Sequence, residues 1–331
     1  MAALLEVEGL RVRLAGAAGR PTILEDISFS LQPGEVLGVV GESGSGKSVL
    51  ALSVMGLLPA ALLMSARRIR LLDHELADQP REAWRAHRGR DLAMIFQEPM
   101  TSLNPVMRVG RQIAEVLNWR RGMSQDDARK RAIELLEQVE IPSAASRFAT
   151  YPHELSGGMR QRVMIAIALA ANPKLLIADE PTTALDVTVQ AQILRLLMDL
   201  QRTTGLSLIL ITHDIGVIAE LAERVMVLYA GRIAEVAAVR TIFDAPVHPY
   251  TQALLASVPD MRHQRPRLAT IPGTVPDLFA MPPGCRFAPR CPHRRDVCEQ
   301  AAPAVVRLAP GHEVGCLRPF GYREPLREAA S

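Results

Sequence analysis

The chain has 331 residues, of which 48% are hydrophobic and 22% are charged. This is the composition of a globular protein, and the length suits one large domain with an appendage, or two domains. The formal net charge of +3 is too small to indicate nucleic acid as the main partner. No basic leader precedes the first apolar residues, which Glu6 and Glu8 interrupt. We therefore expect no cleavable signal, and a cytosolic location is favoured.

The first 35 residues carry strand and turn signals. Apolar and polar residues alternate loosely in Leu5–Glu8 and in Ile27–Leu31, and the Pro33-Gly34 pair follows the second segment. This pattern predicts antiparallel strands at the start of the chain.

A glycine-rich loop, Gly41–Ser48, lies between the apolar run Val36–Val40 and an apolar segment that begins at Val49. The pattern G-x-x-x-x-G-K-S between a strand and a helix predicts a phosphate-binding loop. Its backbone N–H groups and the helix N-terminus would surround an anion. We expect Lys47 to reach the β- and γ-phosphates of a nucleotide and Ser48 to hold Mg²⁺.

The next part of the chain is less regular. Residues 60–90 are polar and basic with no clear period, whereas Leu92–Phe96 predicts a short buried strand that ends at Gln97. Glu98–Pro105 is a proline-containing loop, and Ser124–Val139 predicts an amphipathic helix that starts with a capping box. A helical region therefore interrupts the α/β pattern.

Two helix N-termini stand out further along the chain. Leu155–Arg162 contains a Ser-Gly-Gly sequence directly before the apolar helix predicted over Val163–Ala171. A serine and two glycines at this place form a potential anion site, although such a cap alone is a common structural feature. Asp186 is predicted to cap the next helix, whose apolar stripe includes Val189 and Ile193.

Two further predicted strands end in polar residues. Leu175–Ala178 leads into Asp179 and Glu180, and Leu208–Thr212 leads into His213. Carboxylates at the end of a buried strand indicate a cation or a reacting water. Asp179 is therefore predicted to hold Mg²⁺, and Glu180 to polarise the water that attacks the γ-phosphate. His213 joins this group because ligands collect at the carboxyl ends of parallel strands.

The order of these motifs resembles that of the ATPase subunits of ABC transporters. The similar segments are the Walker A loop (Gly41–Ser48), the Q-loop (Gln97), the signature (Leu155–Met159), Walker B (Leu175–Glu180), the D-loop (Thr183–Asp186) and the switch histidine (His213). The resemblance covers residues 1–258. It implies an α/β P-loop NTPase fold: an ABC nucleotide-binding domain with an antiparallel β subdomain and a helical subdomain over about residues 98–160. Residues 259–331 would form a small cysteine-containing C-terminal extension.

Within that family the chain is similar to the oligopeptide, dipeptide and nickel importers. The segments that carry this similarity are Phe96–Pro105, Leu155–Arg162 and Asp186–Gln190. Ser48–Pro59 resembles the first, D-type subunit of the two ATPases that such systems usually encode. Peptides are the solutes that the resemblance implies, with nickel or another small solute as the alternative.

The resemblance also implies roles for individual residues. Glu180, His213 and Gln97 would be catalytic, and Mg²⁺ would be held by Ser48, Gln97 and Asp179. The residues implied to bind ATP are Gly41, Ser43, Gly44, Ser45, Gly46, Lys47, Ser48, Val49, Ser156, Gly157, Gly158 and Asp186. Two such subunits would enclose two ATP molecules, each between one Walker A loop and the opposite signature. Leu14 stands where an adenine-stacking aromatic is expected, so stacking is not predicted there.

The implied partners are a second homologous ATPase in a heterodimer, two membrane permeases and an extracytoplasmic solute-binding protein, with no nucleic acid. The chain would then be a peripheral protein at the cytoplasmic face of the inner membrane. One alternative is a soluble ABC ATPase of the translation or DNA-repair class, but the sequence has no second phosphate loop and no heptad array. Another is a nucleotide-responsive redox module whose output is the cysteine region.

All the cysteines lie beyond Pro259, at Cys285, Cys291, Cys298 and Cys316. In a cytosolic chain, clustered cysteines favour metal ligation over disulfides. Their spacing lacks the C-x2-C pairs of common zinc ribbons, and longer loops suit a bulkier group. The resemblance implies a 4Fe-4S cluster, while Zn²⁺ and free or redox-active thiols stay open. His293 and His312 are potential substitute ligands, although we expect them to be exposed, and we expect the nearby arginines to be solvated or to face a partner.

Overall fold

The structure is a computed structural model that describes residues 2–16, 21–98, 102–183, 185–257 and 270–319. The described strands are β1 (Leu5–Leu14), β2 (Thr22–Leu31), β3 (Val36–Val40), β4 (Leu62–Ser65), β5 (Arg68–Leu71), β6 (His74–Glu75), β7 (Leu92–Ile95), β8 (Leu175–Asp179), β9 (Ser207–Ile211), β10 (Arg224–Tyr229), β11 (Arg232–Ala238), β12 (Val306–Ala309) and β13 (His312–Val314).

The described helices are α1 (Lys47–Val54), α2 (Arg81–His87), α3 (Val109–Arg121), α4 (Gln125–Gln138), α5 (Ala144–Arg147), α6 (Gly157–Leu169), α7 (Val187–Thr204), α8 (Ile215–Leu221), α9 (Val239–Asp244), α10 (Pro249–Ala256) and α11 (Asp296–Gln300). Within the described ranges, none of these helices has the length and apolar character needed to cross a bilayer.

An antiparallel sheet forms the N-terminal part of the fold, in the order β2-β1-β5-β6, with β4 also paired to β1. The prediction of antiparallel strands before the glycine-rich loop is confirmed. The description of residues 60–90 as having no clear period was wrong. The alternating buried residues Ile69 and Leu71 lie on β5, and that strand pairs with β1. Strands this short hold too few residues for an alternating pattern to stand out from the sequence alone.

The larger sheet has the order β12-β13-β11-β10-β3-β9-β8-β7. Strands β10, β3, β9, β8 and β7 are parallel. Strand β3 is buried along its whole length, which explains its continuous apolar run. Val36 and Val40 pack into the core formed with the helices α3 to α7, whereas Leu37 and Val39 pack with α1 and the antiparallel sheet. The parallel sheet therefore separates two apolar cores.

The helical region contains α3, α4 and α5, which precede α6. Helix α4 begins as predicted: the Ser124 hydroxyl accepts a hydrogen bond from the Asp127 N–H and donates one to the Asp127 carboxylate. Helix α6 begins at Gly157, earlier than the predicted Val163, because the Ser156 side chain caps it. The polar residue Arg162 then lies inside the helix, where it is buried and donates to the Val139 carbonyl oxygen.

The C-terminal region joins the larger sheet. Strand β13 pairs with β11, with Val314 opposite Glu235, and β12 completes a hairpin. His312 is partly buried rather than exposed as expected, and its Nε2 lies 2.9 Å from Oε1 of the fully buried Glu235. The predicted boundary at residue 258 and the segment 258–269 lie outside the described residues, as do the predicted loop residues 99–101, Ala184 and residues 320–331.

Candidate functional site

Neighbouring strands bring the predicted polar residues to one edge of the sheet. In the order β3-β9-β8-β7, the strands run parallel, so their carboxyl ends lie side by side. These ends lead into the Gly41–Ser48 loop, His213, Glu180 and Gln97 respectively. The fold therefore places the predicted nucleotide and catalytic residues where open α/β sheets bind ligands.

Backbone conformation explains the glycines of the phosphate loop. Gly46 has φ of 99° directly before α1, and Gly41 has φ of 156°. A Cβ at Gly41 would lie 2.2 Å from the Leu228 carbonyl oxygen, so no other residue fits there without moving backbone. The loop residues Ser43 and Gly44 are exposed, whereas Ser45 is buried and Val49 packs partly against the core beside α1.

Lys47 is the first residue of α1, and its ammonium group lies inside the loop. The Nζ atom donates to the carbonyl oxygens of Gly41 at 2.8 Å and Glu42 at 3.1 Å. Burial lowers the pKa of Lys47, while the carboxylates of Glu180 and Asp179 act in the opposite direction. A cation held in this way at the N-terminus of a helix is suited to binding a polyanionic phosphate chain.

Asp179 has the properties of a residue that holds a cation. It is buried, and among the residues that the structure describes its Oδ1 atom has no hydrogen-bond partner. Burial raises the pKa of Asp179, and a hydrogen bond with Ser48 opposes that shift. An unpartnered buried carboxylate oxygen beside a serine hydroxyl fits the oxygen ligands that Mg²⁺ prefers.

Glu180 contacts the other two predicted catalytic residues, Gln97 and His213. Its Oε2 accepts hydrogen bonds from Gln97 Nε2 at 3.0 Å and Thr183 Oγ1 at 2.9 Å, and it lies 3.6 Å from Nδ1 of His213. Glu180 also has φ of 46°, an unusual value for a residue with a side chain, which is typical of functional positions. The carboxylate is thus oriented by neighbours at the end of the sheet, as a general base requires.

The signature residues lie on a separate surface. Ser156 and Gly157 are exposed at the N-terminus of α6, and the Ser156 Oγ accepts a hydrogen bond from the Met159 N–H at 3.3 Å. Gly158 faces α7, where a Cβ would lie 2.6 Å from Cγ1 of Val189. Asp186 caps α7 as predicted. Ser156 and Gly157 are therefore accessible to a ligand from outside this chain.

Sequence reasoning missed the groups that support Glu42 in the phosphate loop. The Glu42 carboxylate pairs with Arg290 at 2.6 Å, and the Glu42 N–H donates to the Tyr250 hydroxyl at 2.9 Å. The expectation that the arginines near the cysteines are solvated or partner-facing was wrong for two of them. Arg286 and Arg290 are buried, with Arg286 paired to Glu25. Their partners are distant in sequence, so no local pattern signals the pairing.

The cysteine side chains share one cavity. It is lined by Cys285, Cys291, Cys298 and Cys316, together with His293. Burial raises the pKa of the Cys316 thiol to about 11 and also raises that of Cys285 and Cys291. All are free thiols. Within the described ranges, however, no three His, Cys, Asp or Glu side chains are arranged to hold a single metal ion.

This combination of a phosphate loop, a strand-end carboxylate pair and a Ser-Gly-Gly helix start defines an ATP-binding cassette. A family profile described as "ABC transporter" matches residues 24–183, and one described as "Oligopeptide/dipeptide transporter, C-terminal region" matches residues 234–298. The chain is 48% identical over 318 residues to "Dipeptide transport ATP-binding protein DppD" of Escherichia coli, covering 96% of this chain and 97% of that protein.

The chain is also 48% identical to "Oligopeptide transport ATP-binding protein OppD" of Salmonella typhimurium, covering 96% of this chain and 94% of that one. Among solved structures, the ATP-binding cassette MJ0796 bound to ADP and phosphate is 28% identical, with a TM-score of 0.62 over 71% of this chain and 99% of that one. The chain belongs to the family of ABC transporter ATP-binding proteins of the oligopeptide/dipeptide type, and it is an ABC-type ATPase.

Proposed function

We propose that this chain hydrolyses ATP to drive the import of di- or oligopeptides across the cytoplasmic membrane. The observation that carries this proposal is the likeness to the dipeptide and oligopeptide transport proteins, which extends over almost the whole chain, including the C-terminal region. The solute itself would be bound by other subunits, so nickel or another small solute is the alternative that an uptake assay must distinguish.

In the proposed ATP site, Lys47 and the loop N–H groups hold the phosphates, while Ser48, Gln97 and Asp179 hold Mg²⁺. The metal would supply charge neutralisation at the phosphates. Glu180 polarises the attacking water, and His213 contacts the γ-phosphate. The remaining ATP-binding residues are Gly41, Ser43, Gly44, Ser45, Gly46, Val49 and Asp186. This assignment is supported by the unpartnered Asp179 oxygen and by the hydrogen bonds that converge on Glu180.

Hydrolysis is proposed to require a second, homologous ATPase. The exposed Ser156 and Gly157 and the partly buried Gly158 at the start of α6 would bind the ATP held by the opposite subunit, whose own signature would complete this chain's site. A structure of MJ0796, which this fold resembles, is described as dimeric. Closure of such a pair would couple ATP binding to rearrangement of the attached permeases.

A groove on the helical region is the proposed docking site for a permease. Its lining includes the basic residues Arg108, Arg111 and Arg129 and the rings of Trp119 and Tyr151. Trp119 is 72% exposed, an unusual position for a large aromatic side chain unless a partner covers it. Binding of two permeases would place the chain at the cytoplasmic face of the inner membrane, with a solute-binding protein on the opposite side.

For the cysteine cavity, we propose a 4Fe-4S cluster held by Cys285, Cys291, Cys298 and Cys316. The support is the donor set of four cysteine thiols that line one cavity. Anaerobic purification followed by iron, sulfide and zinc determination and electron paramagnetic resonance tests this: zinc alone, or no metal, would contradict it.

Co-purification tests the importer proposal directly. The tagged chain is expressed in its native host, membranes are solubilised in mild detergent, and the associated proteins are identified. We expect two multi-spanning permeases and a second ATPase. The complex is then reconstituted into vesicles with the solute-binding protein, where labelled dipeptide should enter with ATP and Ni²⁺ should not. The Glu180→Gln complex should assemble without transport. Recovery only from the soluble fraction with ribosomal or DNA-bound partners would contradict the proposal.

A further inference from the structure

Arg290 is a buried arginine whose hydrogen bonds converge on the phosphate loop. Its guanidinium donates to both carboxylate oxygens of Glu42, at 2.6 and 3.1 Å. The other N–H groups donate to the carbonyl oxygens of Pro272 and Ile271 and to the Tyr229 hydroxyl. The Arg290 side chain is only 5% exposed. A two-bond fork of this kind fixes both position and orientation of the carboxylate.

Glu42 is the second residue of the loop, and each of its polar groups has a defined partner. The N–H donates to the Tyr250 hydroxyl at 2.9 Å, the carbonyl oxygen accepts from Lys47 Nζ at 3.1 Å, and the carboxylate binds Arg290. Movement of the Glu42 backbone would therefore shift the loop that encloses Lys47. Arg290 acts on the nucleotide site through this residue.

Charge gives the ion pair a second effect. Burial lowers the pKa of Lys47, and the Glu42 carboxylate is close enough to oppose that shift. An uncompensated carboxylate at this distance would also repel the phosphates of ATP. Arg290 neutralises it with a group that cannot lose its proton. The hydrogen bonds that Arg290 donates to Glu42 also raise the pKa of Arg290.

We infer that Arg290, from the C-terminal region, is a positioning residue of the ATP site: it holds Glu42 in place and cancels its charge so that the phosphate loop accepts ATP. Arg290 lies on a short 3₁₀ turn, Ala288–Arg290, between Cys285 and Cys291. The Cys285 carbonyl oxygen accepts from the Ala288 N–H, and the Cys291 N–H donates to the Ala288 carbonyl oxygen. The turn that presents Arg290 is thus built onto the cysteine cavity.

The chain offers a matched control in Arg286. It lies on the same segment and is equally buried, but its carboxylate partner is Glu25 on β2, outside the phosphate loop. Replacing either arginine by glutamine should destabilise the fold, because each change removes a buried ion pair; Glu42 then loses its partner, whereas Glu25 keeps its contact with Arg232. Only the Arg290 change should also act on ATP.

The test measures equilibrium binding of a fluorescent ATP analogue with Mg²⁺ to the full-length chain. We expect Arg290→Gln to raise the dissociation constant about tenfold, Arg290→Lys to raise it much less because the charge is kept, and Arg286→Gln to leave it unchanged. Adding Glu42→Gln to Arg290→Gln should restore affinity to within about threefold of the native chain, because the repelling carboxylate is gone.

Equal affinity of Arg290→Gln and the native chain would overturn the inference, and so would a double variant as weak as Arg290→Gln. If Arg290→Gln does not fold, the comparison of Arg290→Lys with Arg286→Gln decides: equal losses of affinity would refute a specific role. The inference rests on the proposed phosphate loop, so Lys47→Ala is measured alongside. Native-like ATP binding by Lys47→Ala would show that the proposed site itself is wrong, whatever Arg290 does.

Discussion

His248 is expected to make the stability of this protein depend on pH. The ring is buried at the N-terminus of α10, where Nδ1 accepts a hydrogen bond from the Tyr250 N–H at 3.0 Å. Burial lowers the pKa of His248 from 6.5 to about 4, while a hydrogen bond to the backbone of Gly315 opposes that shift. Protonation of Nδ1 would remove the acceptor that caps α10 and leave a charge in the core.

The groups around the His248 ring determine how well the folded protein can accommodate the protonated form of that ring. The carboxylate of Glu235 accepts a hydrogen bond from the backbone N–H of His248 and is already engaged by His312. Phe287 packs against the ring, with the two centroids 6.0 Å apart. The charged imidazole would therefore be surrounded largely by apolar atoms and committed polar groups, which explains why the neutral form is favoured.

The sign and size of the pH effect on the free energy of unfolding follow from the linkage between protonation and folding. Since the folded pKa lies below the unfolded value, the contribution of His248 is fully present above pH 6.5 and is lost as the pH falls toward 4. The full loss is about 3 kcal/mol, of which about 2 kcal/mol has occurred by about pH 5. For a domain with a typical stability of roughly 5–15 kcal/mol, this is a measurable fraction.

Urea unfolding followed by circular dichroism at about pH 8 and about pH 5 tests this effect. In His248→Asn, the asparagine side chain can still cap the helix but does not titrate, so the difference in unfolding free energy between the two pH values should shrink by about 2 kcal/mol. The exposed His153 is the control, and His153→Asn should keep the native difference. An unchanged pH dependence in His248→Asn would refute the reasoning.

Three further predictions concern other parts of the site. Glu180→Gln should keep ATP binding but lower phosphate release by the assembled transporter at least about 100-fold, because the oriented base is lost; undiminished release would exclude that role. Gly158→Ala should cost about 1–3 kcal/mol in urea unfolding because its Cβ would lie 2.6 Å from Val189, whereas Gly157→Ala, with its nearest atom at 3.5 Å, should cost less. Alkylating the cysteine thiols of the metal-free chain should weaken binding of the ATP analogue, whereas alkylating the Arg290→Gln variant should weaken its binding little further. An equal loss of affinity in both chains would argue against an effect of the cysteine region on ATP binding through Arg290.

The sequence predicted which polar residues meet at one edge of the sheet, because the signals for them are local. A buried strand reads as an apolar run, and a polar residue directly after it can only lie at the strand's end. Four strands end in this way, leading into Gly41, Gln97, Glu180 and His213. The rule that the carboxyl ends of parallel strands lie at one edge of a sheet was enough to place these residues together. The helix-capping interaction between Ser124 and Asp127 was equally predictable from the sequence, because both residues lie within one helical turn.

The contacts that the sequence did not reveal join residues far apart in the chain. Arg290 and Glu42 are 248 positions apart, and His312 and Glu235 are 77 apart. An isolated arginine or histidine in a proline-rich segment reads as solvent-exposed, since long charged side chains are rarely buried without a partner. Burial becomes favourable only once the fold supplies the partner, and no spacing rule identifies which acid that is.

These long-range pairs join the C-terminal region to the larger sheet and to the phosphate loop. Strand β13 extends the sheet that carries the ATP site, and His312 pairs with a carboxylate, Glu235, that would otherwise be buried without that partner. Arg290 is the buried member of its own pair, with the partly exposed Glu42 of the phosphate loop. Losing one member of a buried pair costs more than the pair contributes, because the remaining charge stays desolvated. The cysteine-bearing segment is therefore tied to the loop that carries Lys47, because Arg290 binds the Glu42 carboxylate and the Glu42 carbonyl oxygen accepts a hydrogen bond from Lys47.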